Sequence, residues 1–244
     1  MTTMLASDSG TASPVSVDDF RWLPTRAGLV NVWQYTEEIL EFERGRLVLY
    51  GPNGSGKTMA LELLLPHLLD AKGLPGRLST SGADRGGLWD RVSGYDEGEP
   101  RTGYLWLEFA LDDERTFTAG VRLRAKPSGG GDKHWFTTPR RVAIDFSLLD
   151  EHRRPLSVEQ LTEAVGAEGR VWGSDTSGYR QAIRTTLFPG WSDDRLDALI
   201  RTLLVVRKQN VTDGLSPTRL SDLLSEALPP LDDLELGRVA DGFA

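Results

Sequence analysis

An α/β fold is predicted, a mixed sheet around one central helix with an antiparallel β subdomain and a C-terminal helical portion, on three observations. The apolar run Leu47-Val48-Leu49-Tyr50 leads into Gly51-Pro52-Asn53-Gly54-Ser55-Gly56-Lys57-Thr58, and Met59 to Leu69 beyond it are almost all good helix formers. From Thr102 to Leu149 apolar residues recur at every second position, the period of strands. From Val158 onward the period becomes helical.

The first observation carries chemistry. A buried strand, a glycine-rich loop and a helix in that order make the phosphate-binding pattern G-x-x-x-x-G-K-[ST] of a P-loop NTPase. Its glycines let backbone N-H groups converge on an anion, which a Cβ would obstruct. Asn53, Gly54, Ser55, Gly56, Lys57 and Thr58 are the candidate nucleotide-binding residues, with Lys57 as the charge for the β- and γ-phosphates and Thr58 as a Mg²⁺ ligand. ATP and Mg²⁺ are the cofactors implied. The motif leaves the reaction class open, because kinases, GTPases and mechanical ATPases share it.

Composition bounds the rest. A chain of 244 residues with seven Trp can bury a real core. It has no Cys and only three His, which excludes a disulfide scaffold and argues against a thiolate or His-based metal centre. Residues 1–18, rich in Ser, Thr and Ala without a basic start or an apolar run, read as a disordered tail and not a signal peptide. No apolar run is long enough to span a bilayer, and a cytoplasmic protein is expected. The net charge of -8 is distributed unevenly, with nine Lys/Arg against four Asp/Glu between Arg115 and Arg154. A solvated sheet face and a DNA-facing surface both account for that excess, and Arg140 and Arg141 are the candidate DNA contacts.

Taken in order, Gly28 to Tyr35 reads as a strand, Glu37-Glu38 as a break, Ile39 to Phe42 as a second strand and Glu43-Arg44-Gly45 as a turn before the P-loop. Ala71 to Glu99 reads as a long loop. Tyr104 to Leu111, Thr116 to Lys126, Trp135-Phe136 and Val142 to Leu149 read as a meander, with Ser128 to Asp132 as a hairpin loop. Helices are expected over Val158 to Val165, Tyr179 to Leu187, Asp193 to Leu204 and Leu215 to Leu228, the last opened by Ser216-Pro217 and stopped by Pro229-Pro230. Residues 19–230 form one lobe in this reading, and 231–244 begin an arm.

Two stretches imitate catalytic motifs. Phe146 to Glu151 has the outline of a Walker B strand ending in Asp150 and Glu151, but its apolar residues alternate where a central parallel strand would be continuously apolar. It reads as the edge of the meander. Ser128-Gly129-Gly130-Gly131 has the outline of an ABC signature, but Lys133-His134-Trp135-Phe136 is not a helix start. The chain therefore has a P-loop without a convincing base for hydrolysis.

That combination resembles the N-terminal half of an SMC-type ATPase head in the wider ABC superfamily. The resemblance rests on Leu29 to Tyr35 as the Asn-aromatic strand, Ile39 to Phe42 as the hairpin, and the Asn53-Gly54 form of the loop. A second match is Leu203 to Val211 followed by Leu215 to Leu224, similar to a Q-loop, an apolar strand ending in Gln209, and the helix after it. In Arg21-Trp22-Leu23-Pro24 and the Arg-rich meander the chain is most similar to the large SMC-like subunits of actinobacterial Wadjet-type anti-plasmid systems, relatives of the MukB and MksB condensins. The resemblance implies Gln209 as a catalytic residue and Mg²⁺ ligand. It also implies a C-terminal head lobe, a second SMC-like head, kleisin-type and accessory subunits, and DNA as partners, in chromosome maintenance or plasmid defence. Two other classes stay open: a self-contained P-loop kinase or small NTPase, and a non-enzymatic nucleotide-binding interaction module.

Overall fold

The computed structural model describes residues 21–52, 54–57, 60, 63–71, 92, 99–112, 114–128 and 130–206, together with Ser221 and Ser225. Ten elements follow one another: β1 (Leu23–Val32), β2 (Tyr35–Glu41), α1 (Leu65–Asp70), β3 (Arg101–Ala110), β4 (Thr116–Ala125), β5 (Gly131–Thr138), α2 (Val158–Val165), β6 (Arg170–Trp172), α3 (Ser177–Leu187) and α4 (Asp193–Val206). The expected strands before the P-loop and the expected meander are not separate bodies. They form one six-stranded sheet in the order β2-β1-β3-β4-β5-β6, antiparallel at every pairing.

Two-residue periodicity is satisfied on both faces of that sheet. On the first face Leu29, Leu105, Leu107, Val121 and Leu123 pack with Leu63 and Leu68 of the P-loop helical path, with Tyr179 and Ile183 of α3, and with Leu196 and Ile200 of α4. On the second face Tyr104, Trp106 and Phe136 pack under Val142, Leu148 and Leu156 and under Leu161 and Val165 of α2. Helix α2 starts on a capping box in which Ser157 and Gln160 exchange side-chain and backbone bonds. Antiparallel sheets often leave one face wet, but here β3 is buried from Gly103 to Phe109 because both faces are covered.

The first hairpin departs from its expected bounds. A strand expected over Gly28 to Tyr35 turns at Trp33-Gln34 instead, and Glu37-Glu38 continue β2 as an exposed edge where a break was expected. Asn31 (φ 49°) and Trp33 (φ 52°) adopt left-handed backbone at this turn. Asn31 tolerates that region, whereas a bulky residue seldom enters it. The irregularity breaks the alternation of β1, so that Val30 joins the second core and Val32 the first. The turn at Glu43 to Arg46 is as expected, with Arg44 (φ 50°) and Gly45 (φ 76°) both left-handed, as a two-residue hairpin turn requires.

Three further expectations are corrected. Leu47 to Tyr50 is not a buried strand: it has no ladder partner among the described residues, and Val48 and Tyr50 are 88% and 99% exposed. Both edges of β1 are already taken by β2 and β3, and beyond the Glu43–Arg46 bridge residues 47–50 enter no ladder with the described residues. Val142 to Leu149 is not a strand either but an irregular strap across the second core. The Asp145 carboxylate accepts from the Arg141 N-H at 2.7 Å, and Ala143 takes φ 62°. A local turn, closed by this carboxylate bond and by the Asp145 N-H on the Arg141 carbonyl at 2.8 Å, wins there over sheet pairing. Leu203 to Val206, read as a strand before Gln209, forms the last turn of α4, since Leu196, Ile200, Leu203 and Leu204 continue one helical period. The short strand β6 carried too little pattern to be read. The 231–244 arm and the 215–228 helix lie outside the described residues, except for helical Ser221 and Ser225. Among the described residues no helix is long and apolar enough to cross a membrane.

Candidate functional site

The helical path that carries α1 begins inside the glycine-rich loop. The Ala60 N-H donates to the Gly56 carbonyl at 2.9 Å, Leu64 to Ala60 at 3.0 Å and Leu68 to Leu64 at 3.0 Å. Gly54 (φ 83°) and Gly56 (φ 88°) hold left-handed angles that a side chain would strain. The Lys57 ammonium folds back over the loop, donating to the carbonyls of Gly51 and Pro52 at 2.7 Å each and to Ser55 Oγ at 3.3 Å. The lysine thus closes the loop around itself. Its donors can be handed to a more strongly accepting anion, because charge-assisted bonds to phosphate outmatch those to neutral carbonyls.

Gly56 has a second reason to be glycine. A Cβ there would stand 2.5 Å from Trp33 Cζ3 and 2.5 Å from the Tyr35 hydroxyl, inside van der Waals contact. These two rings, 6.0 Å apart at 55°, come from the tip of the β1–β2 hairpin. The Tyr35 hydroxyl also reaches the Ser55 carbonyl in a long contact of 3.5 Å, and burial with the nearby Glu38 charge raises the phenol above its ordinary value. Neither aromatic was singled out from the sequence. Their i, i+2 spacing would have placed both on one face of the sheet, but nothing in it said that the face meets the P-loop.

Asn53, Thr58 and Gln209 lie outside the described residues. The described part of the expected nucleotide site is therefore Gly54, Ser55, Gly56 and Lys57, and these the fold does bring together, beside Trp33 and Tyr35. Arg140 and Arg141 stand elsewhere. The Arg140 guanidinium donates to the carbonyls of Ala164 and Asp145 at 2.6 Å each and lies over the Phe146 ring. Arg141 reaches buried Glu108 at 3.3 Å. Both arginines pin the strap to the sheet and to α2, a use that neither the solvated-face nor the DNA-facing reading contained.

Glu108 is fully buried and is held by Thr25 (2.8 Å), Arg26 (3.0 Å) and Arg141. Burial alone would push its carboxyl up, but the hydrogen bonds from Arg26, Arg141 and Thr25 outweigh it and leave the group below its ordinary value. Asp150 is likewise occupied, accepting from the backbone of His152 (2.9 Å) and Arg154 (2.8 Å) and from the Arg154 side chain (2.9 Å). These bonds hold its carboxyl low, the Arg154 backbone bond most of all. The strap that carries Asp150 and Glu151 covers the second face, whereas the P-loop path and its aromatic neighbours pack on the first. No known protein-family model matches this chain, and no curated protein matches it significantly.

Proposed function

We propose that this chain is the ATP-binding N-terminal lobe of an SMC-like ABC ATPase head. The observation that carries the reading is the glycine-rich loop, with Gly54 and Gly56 in left-handed geometry, Lys57 poised above it and a helical path leaving it at Gly56. That loop fits a polyphosphate: Gly54 and Ser55 are exposed, and Lys57 brings a cation to the loop itself. Gly54, Ser55, Gly56 and Lys57 would hold the β- and γ-phosphates, with Asn53 from the same loop, while Thr58 and Gln209 would ligate Mg²⁺. ATP held there with its metal would supply the binding energy for head engagement and a phosphoryl group whose hydrolysis would release the heads. The residues of this chain bind and orient it.

The groups that activate water and stabilise the developing charge come, in this reading, from a C-terminal lobe and from a second head, with kleisin-type and accessory subunits completing the machine. Loading on, or extrusion of, DNA in chromosome maintenance or plasmid defence is the outcome the resemblance implies. A self-contained kinase or NTPase is disfavoured because its one candidate base, Asp150 with Glu151, sits on the strap across the sheet from the loop.

Calorimetry with Mg²⁺-ATP tests the reading. Lys57→Ala is expected to weaken binding by about a hundredfold or more, two charge-assisted bonds at roughly 1.5–3 kcal/mol each, without changing the thermal midpoint of this exposed loop. Equal affinity in the two proteins would sink the assignment.

A further inference from the structure

We infer that Trp33 and Tyr35 are positioning residues: packed on Gly56 from the tip of the β1–β2 hairpin, they hold the glycine-rich loop in the shape that accepts phosphate. The phosphate part of this inference rests on the nucleotide reading above. The aromatic clamp itself rests only on geometry. Lys57 ties the loop to its own carbonyls, so it cannot fix the loop's position relative to the fold. The two rings can, because they reach Gly56 closely enough that no Cβ fits there, and because Tyr35 opens β2 while Trp33 stands in the turn that joins β1 to β2.

The hairpin tip is built to keep them there. The Asn31 side-chain amide donates to the Thr102 carbonyl at 2.6 Å, the Arg101 guanidinium donates to the Asn31 carbonyl at 3.1 Å, and the Trp33 N-H donates to the Val92 carbonyl at 3.0 Å. Trp33 is thereby fixed at φ 52°, a conformation that a bulky residue keeps only where its surroundings over-determine it. Such an outlier beside a binding loop is the kind of strain that pre-organises a site. The start of β3 thus holds Asn31, two residues before Trp33 in the same hairpin tip.

The positioning role predicts a local effect that a merely structural one does not. If removing a ring lowers the population of competent loop to about a tenth, the apparent affinity for ligand falls about tenfold although every group that binds the ligand is still present. Hydrogen exchange at the amides of residues 54–57 and Mg²⁺-ATP calorimetry would be measured on the full chain, on Trp33→Ala and Tyr35→Ala, and on the ring-keeping Tyr35→Phe. Both alanine variants are expected to exchange about tenfold faster at these amides while β3 and β4 keep wild-type protection, and to bind ATP about tenfold more weakly. Tyr35→Phe removes the hydroxyl that lies nearest the Cβ position of Gly56 but keeps the ring, whose Cζ stands 3.0 Å from it, and should shift both readouts in the same direction by less than Tyr35→Ala.

Should an alanine variant fail to fold, Trp33→Phe removes the six-membered indole edge that meets Gly56 and is expected to shift both readouts in the same direction. Unchanged exchange in the variants that fold overturns the clamp. Faster exchange with unchanged affinity overturns the positioning role. Faster exchange in a chain whose wild type binds no ATP upholds the clamp and removes the nucleotide reading instead.

Discussion

Glu108 is the residue on which the second face depends. It is a carboxylate at 0% exposure in β3, a strand buried from Gly103 to Phe109, and its stability comes from Arg26, Arg141 and Thr25 around it. Arg26 is itself buried, donates to the Val142 carbonyl at 3.0 Å and lies over the Trp106 ring, so the pair fastens the strap as well as neutralising a charge. Removing one partner of such a pair leaves the other uncompensated, and Glu108→Ala is expected to lower stability by about 3–5 kcal/mol, read from urea unfolding. The pH dependence has a defined sign. Because the folded-state value lies below the ordinary 4.5, the contribution of this carboxylate is full above that pH and is lost as the pH falls through the folded value. Wild type should therefore lose urea resistance on acidification below about pH 4.5 more steeply than Glu108→Gln. Parallel acid limbs for the two proteins would remove Glu108 from the account.

At the scale of elements, α3 is the brace of α1. The Tyr179 hydroxyl donates to the Leu68 carbonyl at 2.8 Å, and Arg180 joins the Asp70 carbonyl (2.8 Å) to the Asp197 carboxylate on α4 (2.6 Å). Tyr179→Phe leaves the buried Leu68 carbonyl without that donor and is expected to cost about 1–3 kcal/mol of stability, measured by urea unfolding. No change would mean that the carbonyl finds another partner. The helices of this brace were legible from sequence, since Ile183 and Leu187, and Leu196 and Ile200, recur at helical spacing among polar residues. So were β3 and β4, whose alternation is long. The failures share a cause. Leu47 to Tyr50, Val142 to Leu149 and Leu203 to Val206 are short apolar runs, and whether such a run pairs, loops or coils is decided by neighbours distant in sequence. Asp145, in the middle of the second run, was the local sign against a strand. In the site, glycine spacing marked the loop as a candidate, but the contact between Gly56 and an aromatic pair some twenty residues earlier exists only once the hairpin is folded.

For the whole molecule, the two-faced sheet separates the glycine-rich loop from the pair Asp150 and Glu151. The loop with Gly56 and Lys57 belongs to the layer on the first face, and Asp150 with Glu151 to the layer on the second. A general base must come within about 3 Å of the proton it takes, or reach it through one water. The sheet stands between these two layers, and the Asp150 turn is tied to the sheet's edge by Arg153 on Glu37 at 2.9 Å. Asp150, moreover, is already committed to the turn that ends at Arg154. The purified chain is therefore expected to bind Mg²⁺-ATP and to turn it over at a rate indistinguishable from that of Lys57→Ala. Asp150→Ala and Glu151→Gln should leave ATP affinity within about twofold of wild type, since neither residue approaches the loop, although Asp150→Ala will loosen its own turn. Addition of a C-terminal head lobe should then raise turnover and leave those two substitutions silent. Steady-state phosphate release by the chain alone, abolished by Glu151→Gln, would mean that the strap moves around the edge of the sheet, and would restore the self-contained NTPase.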